Sequence, residues 1–191
     1  MREIDILLVG VGGQGTILAS RILAHVGQAA GYDIKVSEIH GMAQRGGSVV
    51  TQVRMGEKVY SPLIEEGRAD VILAFEKLEA LRWLSYLKPG GSLLVNDQAI
   101  YPVPVLAGLA QYPQDITGYL KAKVKDTVVL DALGTARECG NARAANVVLV
   151  GLLARRLPFA EDNWQEALAA RVPARFLDVN RKAFAAGYGI G

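Results

Sequence analysis

The six residues Gly10 to Gly15, with the sequence Gly-Val-Gly-Gly-Gln-Gly, constrain the fold of this chain more than any other segment. They follow an apolar run from Ile4 to Val9 and precede a helical pattern that begins near Thr16. Glycines in this context let a strand turn sharply, bring the backbone close to a ligand, and leave the N–H groups of the next helix facing an anion such as a phosphate. The segment therefore predicts a strand–turn–helix unit of an α/β fold.

Apolar strands alternate with amphipathic helices along the rest of the 191 residues. This alternation predicts a three-layer, Rossmann-like α/β fold with a mainly parallel sheet, one antiparallel strand pair and C-terminal helices. Because domains usually hold roughly 100 to 200 residues, we expect residues 1–191 to form a single domain. A chain of this length is also long enough to bury a substantial core.

The boundaries of the elements follow from apolar periodicity and from glycine and proline positions. The predicted strands cover residues 4–9, 33–39, 49–54 paired with 58–60, 71–75, 92–95 and 127–130. The predicted helices cover residues 16–30, 78–87, 116–124, 142–157, 163–171 and 176–186, and residues 100–115 are expected to be irregular. The helix at 142–157 is apolar nearly all round, so we expect it to lie in the core or under another subunit.

Composition excludes several classes of function. Hydrophobic residues make up 51% of the chain and charged residues 21%, which is typical of a globular protein. A net charge of +2 is too small to indicate nucleic-acid binding. No apolar run reaches the length of about 18 residues that a membrane span needs, and the N-terminus leads directly into the first strand. We therefore expect a cytoplasmic protein with no membrane contact.

The single cysteine limits redox and metal chemistry. Cys139 alone forms no internal disulfide, thiolate zinc site or iron–sulfur cluster, because each of these needs several ligands. Its position between Glu138 and Gly140 favours a small buried thiol near a turn over a nucleophile. Electrons handled by such a protein must leave through another chain.

Ligands of open α/β sheets bind outside the carboxyl ends of the strands, so residues that follow strands are the site candidates. Arg45 offers a planar fork to a phosphate or carboxylate. A histidine such as His40 is a candidate for proton transfer, but a lone histidine without an orienting partner in sequence is more often structural. Glu76, Asp97 and Asp131 also follow strands, but we interpret them as helix caps or turn residues. No catalytic residue and no metal ligand is predicted. The predicted cofactor-binding residues are Gly10, Gly12, Gly13, Gln14, Gly15, Thr16, His40, Gln44, Arg45, Gly46 and Gly47.

Two other interpretations of the glycine segment remain open from the residues alone. In a stand-alone NAD(P)-binding oxidoreductase, an acidic residue at the end of the second strand holds a ribose hydroxyl, and Glu38 is the nearest candidate. In the other interpretation, the glycines serve only close packing of helix on strand. A third possibility is a regulatory or assembly module that covers a partner's active site.

Several motifs resemble those of the gamma subunits of 2-oxoacid:ferredoxin oxidoreductases, of the pyruvate/ketoisovalerate type. The segment from Ser37 to Gly47, Ser-Glu-Ile-His-Gly-Met-Ala-Gln-Arg-Gly-Gly, is most similar to the beta subunit of indolepyruvate ferredoxin oxidoreductases. The resemblance runs from end to end of the chain. Further matching segments are Gly10–Gly15, Ala69–Val71, Ala74–Glu76, Leu87–Gly91, Gly140–Asn146, Asn180 and Ala183–Phe184.

The resemblance implies a subunit of an enzyme that oxidatively decarboxylates a 2-oxoacid, such as indolepyruvate, with coenzyme A. The products are an acyl-CoA, carbon dioxide and reduced ferredoxin. In that family thiamine diphosphate and iron–sulfur clusters belong to partner subunits, and ferredoxin is reached through the complex. This agrees with the single cysteine and with the absence of a Gly-Asp-Gly thiamine signature from the sequence. Catalysis by the isolated chain is not expected.

Overall fold

The computed structural model describes residues 1–41 and 46–190. These residues form one six-stranded sheet with helices on both faces, which confirms the predicted three-layer α/β fold. The strands are β1 (Ile4–Val11), β2 (Asp33–His40), β3 (Ser48–Gly56), β4 (Ala69–Ala74), β5 (Leu87–Asn96) and β6 (Thr127–Leu130). They are arranged in the order β2-β3-β1-β4-β5-β6.

Helices cover both faces of this sheet. They are α1 (Thr16–Ala29), α2 (Lys77–Arg82), α3 (Val103–Leu106), α4 (Ile116–Lys123), α5 (Ala132–Glu138), α6 (Ala145–Ala154), α7 (Glu161–Arg171) and α8 (Leu177–Tyr188). Short 3-10 turns lie at Leu84–Tyr86, Ala142–Ala144 and Ala174–Phe176. Residues of α1, α5, α6, α7 and α8 share one core cluster, and those of α2 and α4 share the other.

The antiparallel strand of the sheet is β3, but its partners differ from the predicted pair. It runs antiparallel to both β1 and β2 and separates them, whereas the remaining neighbours are parallel. Residues 58–60 form no strand, so the predicted hairpin with 49–54 is wrong. Within this segment, Val59 N donates a hydrogen bond to the Asp33 side chain, at 2.8 Å from Oδ2, and not to a neighbouring strand. Most residues of β3 are buried, as expected for a strand inside the sheet that has a neighbour at each edge.

Other predicted boundaries shift at glycine and proline. The helix predicted at 78–87 ends at Arg82, and Leu87 is the first residue of β5. Pro89 to Gly91 of β5 lie next to a shift in its register against β4. The predicted irregular segment 100–115 contains the one-turn helix α3. The predicted helix 142–157 divides into a 3-10 turn and α6. Helix α5 is not among the predicted helices, because its buried residues are only the small Ala132 and Ala136.

Helix α6 lies in the core of this chain itself. Every residue from Asn146 to Ala154 is buried, which decides between the two locations left open by the sequence. Helix α8 crosses it closely, because a Cβ at Gly151 would overlap the Phe184 carbonyl oxygen and a Cβ at Gly187 would overlap that of Val148. The two glycines therefore set the distance between these helices.

Candidate functional site

The predicted glycine loop leaves β1 at Val11 and enters α1 at Thr16. Gly13 and Gly15 have φ angles of 101° and 83°, in the left-handed region that L side chains rarely adopt. No side chain caps the start of α1, so its first N–H groups are not satisfied in that way. The loop thus has the local geometry that the sequence predicts for an anion-binding turn.

Two of the predicted ligand-binding residues in this loop have structural roles. The Gln14 side chain turns toward the end of β4: its Oε1 accepts from Val11 N at 2.7 Å, and its Nε2 donates to Phe75 O at 2.8 Å and to Gln98 Oε1 at 3.0 Å. A Cβ at Gly10 would lie 2.9 Å from both Gln14 Oε1 and Phe75 Cβ. Close packing, the alternative interpretation of these glycines, therefore accounts for Gly10.

Gly15 also contacts a residue far away in sequence. A Cβ there would overlap the amide of Asn146, whose Nδ2 donates to Gly15 O at 3.3 Å. At Gly13, by contrast, a Cβ would meet no atom within 4 Å. Gly13 therefore faces open space.

The structure brings the second predicted segment against the glycine loop. Gly12 N donates to Gly47 O at 2.9 Å, and Gly46 N donates to Gly12 O at 3.5 Å. His40, at the end of β2, is exposed. The predicted site residues Gln44 and Arg45 lie outside the described residues.

A cleft of about 420 Å³ opens between these two segments. Its wall combines backbone of the glycine loop, the start of α1 and the exposed imidazole of His40. This arrangement suits an anionic group, because the first residues of α1 line the cleft and the N-terminus of a helix attracts anions. The lining residues are Gly12, Gly13, Gly15, Thr16, Ile17, His40 and Val49.

Residues 5–190 match the family model for pyruvate ferredoxin/flavodoxin oxidoreductases. The chain belongs to this family. It is 43% identical to the indolepyruvate oxidoreductase subunit IorB of Thermococcus kodakarensis, over 98% of this chain and 95% of that protein. It is 40% identical to the subunit of the same name from Archaeoglobus fulgidus, over 97% of this chain and 94% of that protein.

Solved structures have the same fold. The gamma subunit of a keto/oxoacid ferredoxin oxidoreductase from Geobacter sulfurreducens matches with a TM-score of 0.76 and 24% identity, over 100% of this chain and 97% of that one. A 2-oxoglutarate:ferredoxin oxidoreductase chain from Magnetococcus marinus matches with a TM-score of 0.74 and 19% identity, over 100% of this chain but 31% of that one. Because its relatives at 43% and 40% identity are named as oxidoreductase subunits, this member of the pyruvate ferredoxin/flavodoxin oxidoreductase family is one subunit of a multi-subunit oxidoreductase.

In this family member the position of Glu38 argues against the dinucleotide interpretation. Because β3 lies between β1 and β2, the end of β2 is two strands away from the glycine loop, roughly 9 to 10 Å at normal strand spacing. A dinucleotide fold places these strands side by side. Glu38 accepts a hydrogen bond from Ser20 Oγ at 2.9 Å and lines a separate shallow cleft against α1.

The three acidic residues that follow strands have local partners. Glu76 caps α2 by accepting from Glu79 N at 3.0 Å, and Asp131 caps α5 by accepting from Gly134 N at 2.8 Å, as predicted. Asp97 instead forms an ion pair with Lys77 at 2.9 Å. Glu76 also accepts from Tyr112 Oη at 2.6 Å, and burial together with this bond raises the pKa of the Tyr112 phenol.

The described residues contain neither a metal-binding cluster nor a membrane-spanning helix. Within residues 1–41 and 46–190, no group of three or more histidine, cysteine or acidic side chains is placed to hold a metal ion. No helix in that part of the chain is long and apolar enough to cross a membrane. Cys139 is half-buried and packs against the larger core cluster.

Proposed function

We propose that this chain is the subunit of an indolepyruvate-type 2-oxoacid:ferredoxin oxidoreductase that holds neither thiamine diphosphate nor iron–sulfur clusters. The complex oxidatively decarboxylates an aryl 2-oxoacid with coenzyme A, giving an acyl-CoA, carbon dioxide and reduced ferredoxin. Relatives named as indolepyruvate oxidoreductase subunits, 40% and 43% identical over nearly the whole chain, support the aryl substrate. One cysteine in 191 residues supports the assignment of clusters to partner subunits.

An exposed apolar surface on this chain supports contact with a partner subunit. Residues 98–114 contain no charged side chain. Tyr101, Val103, Leu106 and Leu109 in this segment are 53%, 74%, 70% and 84% exposed. Contiguous apolar surface of this kind marks a protein interface.

The cleft between the glycine loop and His40 is the proposed binding site for the diphosphate of coenzyme A. The observation that carries this proposal is the open space at Gly13, beside the uncapped start of α1 and across from His40. The backbone N–H groups bind diphosphate oxygens, and the exposed imidazole donates a further hydrogen bond. Arg45, which the sequence predicts as a site residue, supplies a positive charge for the same diphosphate.

The role of this chain is then to bind and orient coenzyme A, while the partner subunits carry the redox steps. Purified chain alone should neither decarboxylate indolepyruvate nor reduce ferredoxin. Mixing it with the thiamine- and cluster-bearing subunit should give oxidation of indolepyruvate that depends on coenzyme A. Turnover by the chain alone, or full turnover by the partner alone, would contradict the proposal.

A titration with NADH separates this proposal from the dinucleotide-binding alternative. We expect no change in NADH fluorescence on addition of the chain. Saturable binding that weakens in a Glu38→Gln variant would instead establish a nicotinamide site.

A further inference from the structure

A second cleft, of about 200 Å³, lies on the opposite side of the glycine loop from His40. It opens where the parallel neighbours β1 and β4 end side by side. From β1 the chain continues to β2 at one edge of the sheet, whereas from β4 it continues to β5 in the opposite direction. Crevices at such a change of direction are the usual ligand sites of open α/β sheets. The floor of the cleft is made by the Gln14, Asn96 and Gln98 amides, which are hydrogen-bonded to one another or to Phe75 O.

This switch-point cleft shares lining residues with two neighbouring clefts. Gly13 borders both this cleft and the 420 Å³ cleft of the proposed coenzyme A site. Arg143 and Asn146 border both this cleft and a third one, of about 320 Å³, that extends toward Asn180. Arg143 therefore lies one cleft away from the glycine loop, with Gly13, which carries no side chain, at the border between the two clefts.

A buried polar atom in this region has no partner within the described residues. Asn146 is only 8% exposed, and its Nδ2 donates to Gly15 O, but its Oδ1 makes no hydrogen bond. Buried polar atoms are nearly always paired, because desolvation without a hydrogen bond is costly. This Oδ1 is itself closed to solvent, and the Asn146 amide packs against the Gly15 backbone beside the two clefts.

An unpaired cation stands beside the same clefts. Arg143 is exposed, and its guanidinium forms no hydrogen bond or ion pair with any residue in 1–41 or 46–190. Its backbone is held in place, since Arg143 N donates to the Asn141 side chain at 2.9 Å at the start of the 3-10 turn. A fixed backbone with an unpaired guanidinium fits a phosphate, which takes two parallel N–H bonds from the planar fork.

We propose that Arg143 binds a second, terminal phosphate of the ligand whose diphosphate lies at the glycine loop. For coenzyme A this group is the 3′-phosphate of the ribose, a monoester that carries nearly two negative charges at pH 7. This inference rests on the proposed function and adds to it the group that distinguishes coenzyme A from its dephosphorylated form.

Calorimetric titration of the full chain with coenzyme A and with dephospho-coenzyme A tests the assignment. Wild-type chain should bind coenzyme A roughly tenfold more tightly than dephospho-coenzyme A, because one charge-assisted pair is lost. The Arg143→Ala variant should bind the two ligands equally, at the wild-type affinity for dephospho-coenzyme A. The matched control is Arg137→Ala, since Arg137 is exposed and borders none of the three clefts.

The outcomes separate this inference from the proposed function. If wild-type chain binds neither ligand, the coenzyme A site itself is wrong and the inference fails with it. If wild-type chain binds both ligands equally, or Arg143→Ala keeps the wild-type preference, the Arg143 assignment is wrong while the site at the glycine loop stands. Circular dichroism of each variant verifies that the fold is retained.

Discussion

Gly13 and Gly15 both have a left-handed backbone conformation, but only Gly15 is closely packed. Alanine substitutions at the two positions therefore distinguish the cost of backbone strain from the cost of lost packing. Replacing Gly13 by alanine should cost only the strain, about 1 to 2 kcal/mol, because the new Cβ meets open space. Replacing Gly15 should cost about 3 kcal/mol or more, because its Cβ also overlaps the Asn146 amide. Urea unfolding of both variants measures the difference, and equal losses would refute the packing role of Gly15.

A buried carboxylate near the site makes stability depend on pH. Glu79 is 4% exposed, and burial raises its pKa above the usual 4.5, although its Oε2 accepts from Ser48 Oγ at 2.5 Å and Arg82 lies at 3.5 Å. Glu76, which lies on the same side of α2, also raises it. The folded state therefore holds the Glu79 proton more tightly than the unfolded state does, and this contribution to stability is lost as the pH rises through the folded pKa.

The Glu79→Gln variant should remove this loss, because glutamine keeps an oxygen acceptor for Ser48 without ionising. Its melting temperature relative to wild type should rise as the pH increases from below 4.5 toward neutrality. Glu66→Gln, at an exposed position, is the control and should show no such trend. A difference between Glu79→Gln and wild type that stays constant with pH would contradict the account.

At the scale of elements, the crossing of α6 and α8 depends on two glycines. Gly151→Ala should lower the free energy of unfolding by about 3 kcal/mol or more, since the Cβ would overlap backbone that cannot move independently of its helix. Gly189→Ala is the control, because its nearest atom lies at 3.5 Å and its φ of −75° suits alanine. Guanidinium unfolding that gives similar stabilities for the two variants would contradict the close crossing.

Much of this element structure follows from local sequence. The central strands β1 and β4, and the turn that joins β1 to α1, are predictable because apolar runs and glycines act locally. The position of β3 is not, since a strand's partner is set by contacts between distant residues and a nine-residue strand fits either neighbour. Helix α5 was missed because it buries two alanines, which give little periodic signal.

The site is predictable only in part for the same reason. The sequence identifies the glycine loop and His40, and the structure brings Gly12 against Gly46 and Gly47. The inward direction of Gln14 depends on Phe75 and Gln98, which are 61 and 84 positions away. The sequence marks Asn146 only as part of a motif that resembles the family, because its contact with Gly15 spans 131 positions.

At the scale of the whole molecule, the uncharged segment 98–114 should be a contact with the partner subunit. The Leu109→Asp variant should leave the fold of the chain unchanged, because this side chain is 84% exposed, yet it should lower co-purification with the thiamine-bearing subunit at least tenfold. Tyr60→Asp is the matched control: Tyr60 is also 84% exposed but follows β3 at the opposite end of the sheet. Undiminished co-purification of the Leu109→Asp variant would place the interface elsewhere.

The central claim is that the cleft between the glycine loop and His40 holds coenzyme A, and binding to histidine variants tests it most directly. The chain has two histidines, of which His40 lines the cleft and His25 lies on α1 outside it. In calorimetric titration with coenzyme A, we predict saturable binding by wild type and by His25→Ala, and a loss of roughly fivefold or more in affinity for His40→Ala. Absence of binding by wild type, or equal affinities for the two variants, would contradict the account.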